Sequence, residues 1–284
     1  MQKMKKISIF LNPVKDPSLQ RCRKVILALS DFEGEFLLDE KFSREKNLTD
    51  LKNIVFVKEE ALFSKGDMLL ALGGDGTILS IASRAAETGI PIFGINFGNV
   101  GFMTSLEEKE VKKISALVRG EYTVSSRMLL SCRVGEGEEF LALNEFVIAP
   151  EKGFHMVELS LYTGRKKLCD FRADGLIFNT PTGSTGYAFS AGGAVIDDSF
   201  DTIGVKAVSS YLLINGHHMI FSPETVFTVK GARCYGETVT VCADGREKRV
   251  VLPDEKVKIC RAKKRVNLIF LKERSNLEVF FRKF

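Results

Sequence analysis

Three glycines and one aspartate stand between an apolar run and the start of a helix-like segment in the stretch LLALGGDGTILS, residues 69–80. Gly73, Gly74 and Gly76 leave backbone N–H groups open to close approach, and a helix beginning beside them adds the positive end of its dipole. Such a place favours a phosphate. The glycine spacing is not that of the G-x-G-x-x-G dinucleotide fingerprint, and no Lys follows as in the Walker loop, so the loop must act by another arrangement. Asp75, held among phosphates, could hold a cation or take a proton from an attacking hydroxyl. An aspartate here could also serve the turn alone, accepting hydrogen bonds from its own backbone.

Two further stretches carry the same kind of chemistry. ADGLIFNTPTGSTGYAFSAGG, residues 173–193, concentrates hydroxyls, glycines and backbone amides beyond what a turn requires, as a sugar or nucleotide site would. Asn144 and Glu145 interrupt the apolar run FLALNEFVIA; the pair is either a bulge or edge position, or a set of partners for a ribose diol or base edge. His217 and His218 are adjacent, so on a strand they would point to opposite faces and could not share one metal.

The elements that must position these residues follow from periodicity. The chain has 284 residues with 45% hydrophobic content, enough for one large domain or two ordinary ones. Up to about residue 107, short apolar runs alternate with helix-like segments: strands at KISIFL, EFLLD, NIVFV, DMLLALGG and PIFGIN, and helices at PSLQRCRKVILALSDF and ILSIASRAAET. Thr77 is placed to cap the last of these helices, and Gly89 to end it. A helix over EKEVKKISALVRGE leads to a change of texture. From Arg127 onward MLLSCRV, EFLALNEFVIA, MVELSLYT, KLCDFRA, VFTVKG, TVTVCADG and KRVNLIFL read as strands, which puts a domain boundary near residue 120.

Composition narrows the function classes. Lys plus Arg (41) exceed Asp plus Glu (36) by five with no basic block, which fits an ordinary surface or an anionic small molecule and argues against nucleic acid. The apolar run before Asn12 is too short for a signal peptide, and no run of about 20 apolar residues marks a membrane span. Six cysteines lie far apart with no C-x-x-C pair, so reduced thiols in the cytoplasm are expected, with neither zinc nor redox motif.

Together the stretches GGDGT, GINFGNVGFMT (94–104), ALNE (142–145), ADGLIFNTPTGSTGYAFSAGG and the Asp244-Gly245 pair occur in the order and approximate spacing of the NAD kinase family, which the chain resembles over most of its length. GGDGT alone is weakly specific, being similar to loops of phosphofructokinases and diacylglycerol kinases; TPTGSTGY followed by SAGG is highly specific. The resemblance implies an N-terminal Rossmann-like α/β domain (1–120) and a mainly β, NAD-binding C-terminal domain (121–268), with the active site in the cleft between them. It also implies a last segment (269–284) that returns to the first domain.

It implies further that the 2′-hydroxyl of the adenosine ribose of NAD attacks the terminal phosphate of ATP or another donor, giving NADP. Asp75 then becomes the general base, and Gly73, Gly74, Gly76 and Thr77 line the donor's phosphates. The dinucleotide falls to Asp75, Gly76, Asn144, Glu145, His155, Arg172, Asp174, Thr185, Gly186, Tyr187, Ala188, Phe189, Ser190 and Arg246. As a lone histidine, His155 would otherwise be a strand-surface residue. Mg²⁺ or Mn²⁺ is expected to arrive with the nucleotide, with no metal ligands assigned on the protein, and a homo-oligomer, dimer or tetramer, is expected. The chain departs from the family where GSTGY stands for GSTAY, where GHHMIFSP replaces a Pro-His and Arg-Pro pattern, and where Arg246 replaces a glutamine after Asp-Gly. Two other readings stay open: a diacylglycerol-type lipid kinase, and an NAD-binding sensor without catalysis.

Overall fold

Parallel strands covered on both faces need nearly continuous apolar runs, and the first part of the chain supplies them. The computed structural model describes residues 4–12, 16, 18–48, 50–98, 101–152, 155–211, 216–273 and 275–283. Asn99 and Val100 of the GINFGNVGFMT stretch, Pro17 of the first helical segment, residues 212–215 ahead of the histidine pair, and Phe284 lie outside them. The chain divides into two compact units, the first comprising residues up to 126 with 266–274 and 278–284, the second 127–265 with 275–277.

In the first unit, β1 (Lys6–Leu11), β2 (Glu35–Asp39), β3 (Ile54–Val57), β4 (Met68–Leu72) and β5 (Ile92–Asn96) form a parallel sheet in the order β3-β2-β1-β4-β5. The two-residue β6 (Leu106–Glu107) pairs with β5. All residues of β4 and β5 are buried, and their ends carry the glycine loop and Asn96. Helices α1 (Gln20–Leu27), α2 (Glu59–Lys65), α3 (Asp75–Thr88) and α4 (Ser115–Val118) accompany the sheet. In α3 the buried Ile78, Ile81, Ala82, Ala85 and Ala86 make one apolar stripe. Gly89, with φ 77°, ends the helix by donating its N–H to the Ala85 carbonyl at 2.8 Å.

Three local readings change. Helix α3 begins at Asp75 with Gly74 as its cap residue, so Thr77 lies inside the first turn and makes no cap bond. The extended Gly74 (φ −103°, ψ −166°) lets the chain turn into the helix earlier than a threonine cap would. The segment 108–121 is mostly a 3₁₀ helix (Glu108–Ile114) followed by α4, because its buried residues Val111, Ile114 and Leu117 recur every three positions. The first helix is shorter than its apolar pattern; the Asp16 carboxylate accepts the N–H groups of Arg21 and Cys22 at its start, and Leu29 N–H turns back to the Ile26 carbonyl at its end.

The second unit is built of strands. These are β7 (Thr123–Val134), β8 (Phe140–Ala142), β9 (Glu145–Pro150), β10 (Val157–Thr163), β11 (Lys166–Ala173) and β12 (Gly175–Asn179), then, after the short helix α5 (Tyr187–Ser190), β13 (Ile203–Val208), β14 (Met219–Phe221), β15 (Phe227–Cys234), β16 (Val239–Ala243), β17 (Glu247–Val251) and β18 (Val257–Phe270). Helix α6 (Asn276–Lys283) follows; its residues from Glu278, like β7 up to Ser126 and β18 from Val266, belong to the first unit. An antiparallel sheet runs β14-β13-β12-β9-β16-β17, and a second set runs β11-β10-β15-β18, with β7 beside β18 and β8. In β10 the buried Val157, Leu159 and Leu161 alternate with half-buried residues, the period of a sheet covered on one face. They join Phe146, Ile148, Phe178 and Val241 of the other sheet in one apolar cluster, where Phe178 and Phe227 lie 5.4 Å apart.

Candidate active site

Asp75 opens α3, half-buried, at the end of the fully buried β4. Its carboxylate accepts two backbone N–H groups from the loop after β5, Phe102 at 2.8 Å and Met103 at 3.0 Å. The aspartate therefore does more than close its own turn: it ties a second loop, 27 residues along, to the glycine loop. Both approaches depend on missing side chains. A Cβ on Gly101 would collide with Asp75 Oδ1, and a Cβ on Gly73 would collide with Thr77 Oγ1. Thr77 is 2% exposed and its Oγ1 has no hydrogen-bond partner. A buried hydroxyl beside the N-terminus of a 14-residue helix is suited to a phosphate oxygen.

In the second unit the chain makes a bend at Leu143–Asn144 between β8 and β9, so the expected single strand over 139–149 is two. The bend is held from both sides. On one side Asp244 accepts the N–H groups of Leu143, Asn144 and Glu145 at 2.8, 2.8 and 3.1 Å. Asp244 and Gly245 both have positive φ, 48° and 68°, in the tight turn joining β16 to β17, the backbone an Asp-Gly hairpin favours. On the other side Thr180 donates its hydroxyl to the Leu143 carbonyl (2.6 Å) and its N–H to the Asn144 carbonyl (2.9 Å). Thr180 Oγ1 also receives the Gly183 N–H at 3.0 Å, and a Cβ on Gly183 would collide with the Asn144 backbone.

The result is an acidic pair, Glu145 buried and Asp244 half-buried. Burial, then the nearby Asp244 carboxylate, pushes Glu145 up to about 8, partly offset by a hydrogen bond from the Tyr187 backbone. Burial raises Asp244 to about 6, against the pull of its three backbone N–H groups and of Arg246. Glu145 is 7% exposed, and neither its Oε2 nor Asn144 Oδ1 has a hydrogen-bond partner. Gly186 lies against both: a Cβ there would sit 3.1 Å from Glu145 Oε2 and 3.4 Å from Asn144 Nδ2. The upward shift favours the protonated form of the glutamate, which can donate one hydrogen bond and accept others.

The other expected residues distribute as follows. Thr185 ends the 3₁₀ turn Thr182–Thr185, and Tyr187, Ala188, Phe189 and Ser190 form α5, with Ala188 buried and Tyr187 45% exposed. Arg246 is exposed on the Asp244 turn. His155 and Arg172 line a separate depression of about 720 Å³ with Glu158, Arg233 and Tyr235. Arg172 stands 5.4 Å from the Tyr211 ring and 3.7 Å from Glu158. Asp174 is exposed between β11 and β12.

Sequence reasoning assigned no role to Asp244, Thr180 or His218. Asp244 was signalled by its Asp-Gly dipeptide between apolar runs, whereas Thr180 had no signal beyond its neighbours. His218 Nδ1 accepts the Ala194 N–H at 2.9 Å, so its Nε2–H faces Asn179 Oδ1 at 3.0 Å; burial, then the charge of Lys206, lowers its pKa. The exposed His217 precedes β14 and lies on no strand.

A parallel α/β unit with a phosphate-type loop, and a β unit with a buried Asn-Glu pair beside a hydroxyl-rich turn, define a nucleotide-dependent phosphotransferase. Residues 7–122 match the family model described as the ATP-NAD kinase N-terminal domain, and residues 143–271 match that of the ATP-NAD kinase C-terminal domain. An NAD kinase of Thermoanaerobacter sp. (strain X514) is 31% identical over 249 residues, 86% of each chain. One from Caldanaerobacter subterraneus subsp. tengcongensis is 30% identical over 278 residues, 95% of each. Among solved structures, an Archaeoglobus fulgidus NAD kinase in complex with ATP matches with TM-score 0.75 at 25% identity, covering 99% of this chain and 98% of that one. Yeast NADH kinase complexed with NADH matches in fold with TM-score 0.87 at 20% identity, covering 100% of this chain and 88% of that one. The chain belongs to the NAD kinase family, and the lipid-kinase and sensor readings are not favoured.

Proposed function

We propose that this enzyme transfers the terminal phosphate of ATP to the 2′-hydroxyl of the adenosine ribose of NAD, with Asp75 as the base. In this step a bond forms between the ribose oxygen and the γ-phosphorus, and the bond from that phosphorus to ADP breaks. The hydroxyl proton passes to the Asp75 carboxylate. The observation that carries this reading is the Asp75 carboxylate itself, held by Phe102 and Met103 N–H groups at the start of α3. Those bonds orient the carboxylate at the loop, as a positioned base requires. Gly73, Gly74, Gly76 and the partnerless Thr77 hydroxyl are assigned to the donor's phosphates. Asn144, Glu145 and residues 185–190 are assigned to NAD, supported by the buried, partnerless Glu145 Oε2 beside Gly186 and by the partnerless Asn144 Oδ1. His155, Arg172, Asp174 and Arg246 complete the assignment.

Among the described residues no three His, Cys, Asp or Glu side chains group as a metal site. Mg²⁺ or Mn²⁺ fits instead as part of the nucleotide substrate, where it neutralises phosphate charge. Cytoplasmic action is supported by six free cysteines, and a homo-oligomer by exposed Tyr211, Tyr235 and Leu252 on the second unit. Among the described residues no helix is long and apolar enough to cross a membrane. The test is purified protein with NAD, ATP and Mg²⁺, NADP being read through a coupled dehydrogenase. NADP formation is expected; none above background overturns the reading.

A further inference from the structure

Asn276, the first residue of α6, is 4% exposed and spends its polar atoms on one short stretch of the second unit. Its Nδ2 donates to the Ile196 carbonyl at 2.8 Å, its Oδ1 accepts the Asp198 N–H at 3.3 Å, and its own N–H donates to the Asp198 carboxylate at 3.1 Å. That carboxylate also pairs with the guanidinium of Arg127, itself 4% exposed. Ile196 passes the constraint on: its N–H donates to Ser184 Oγ at 2.9 Å, and Ser184 Oγ donates to the Pro181 carbonyl at 2.7 Å. Ser184 is fully buried in the middle of the Thr182–Thr185 turn.

Burying an amide and an ion pair costs more than apolar packing of the same volume, so such a network is retained where it fixes a geometry that packing alone would leave loose. We infer that Asn276 is a positioning residue for the dinucleotide site. It fixes Ile196, Ile196 fixes Ser184, and Ser184 fixes the turn leading into Gly186 and α5. Asn276 itself touches no substrate. The inference rests on the reading above that residues 185–190 and Glu145 hold NAD.

The test is steady-state kinetics of Asn276→Ala and Asn276→Asp, the latter keeping size and the acceptor for Asp198 N–H while losing the donor to Ile196. Loss of one net hydrogen bond in the network is expected to raise KM for NAD about fivefold to tenfold in both, with KM for ATP changed less than about twofold. Ser184→Ala is expected to raise KM for NAD less in the Asn276→Ala background than in the wild type, because both changes cut the same chain. If Asn276→Ala does not fold, Asn276→Asp and its double variant with Ser184→Ala carry the same comparison. A fall in Tm with unchanged KM for NAD, or fully additive effects, overturns the inference while leaving the site assignment standing if Glu145→Gln still raises that KM. If neither Glu145→Gln nor Ser184→Ala moves it, the site assignment falls too, and this inference with it.

Discussion

Asp75 and Glu145 are both acidic but differently surrounded: backbone N–H groups orient the one, and burial raises the pKa of the other. The Asp75 carboxylate accepts two N–H groups, so Asp75→Asn cannot be silent in structure: an amide oxygen satisfies one donor, and the amide nitrogen faces the other. Loss of the base is expected to lower kcat about 10²- to 10⁴-fold, with KM for NAD changed far less and no rescue by excess Mg²⁺. Loosening of the 101–104 loop alone would give a lower Tm with near-normal turnover, and that outcome removes Asp75 from catalysis. Glu145 is raised to about 8, so the folded state holds a proton that the unfolded chain releases near its ordinary value of 4.5. The folded protein binds more protons across that window, and stability therefore falls as pH rises from about 4.5 through 8. Glu145→Gln is expected to flatten this fall of Tm over pH 5–8.5 and to raise KM for NAD more than KM for ATP. A wild-type Tm profile identical to that of the variant would mean Glu145 is ionised in the folded protein.

At the level of elements, the strands were the most legible part, because β4 and β5 are unbroken apolar runs and β10 alternates strictly. The helix starts were not. A Thr in the right place reads as a cap, but the glycines before it supply backbone freedom that local propensity does not weigh, and Thr77 lies inside the first turn of α3 instead. Likewise the three residue groups of the site were legible as polar interruptions of apolar runs, while the contacts that shape them span long separations: Asp244 is 99 residues from Glu145. No local pattern encodes such a pairing. The Asn144–Glu145 bend and the Thr182–Thr185 turn touch through Gly183, where a side chain would meet the Asn144 backbone. Gly183→Ala must therefore push the two segments apart, at a cost on the scale of overpacking, about 1–3 kcal/mol. A lower Tm together with weaker NAD binding by calorimetry is the expected pair of results; an unchanged Tm would mean the turn yields without strain.

For the whole molecule the governing quantity is charge. A net charge of +5 spread over 284 residues gives a mild general attraction for anions, but phosphoryl transfer gathers several negative charges within a few ångströms. The first unit offers little local compensation. The stretch from Gly73 to Ser80 contains no Lys or Arg, and the bonds to Asp75 come from neutral backbone groups. Lys283 lies beside the loop whose N–H groups hold Asp75, its ammonium 4.4 Å from the Phe102 ring. A single lysine engaged with a ring face cannot neutralise a triphosphate, and the N-terminus of α3 supplies only about half a unit charge. On the proposal that the divalent ion arrives with ATP, the missing charge enters with the substrate. Exhaustive chelation is therefore expected to abolish NADP formation, and added Mg²⁺ or Mn²⁺ to restore it in proportion to metal-bound ATP. On the same proposal the Tm of the ligand-free protein is expected to be unmoved by the chelator. Full activity after chelation would show that the protein compensates the phosphates by itself; a Tm that falls on chelation would show a metal bound by the fold.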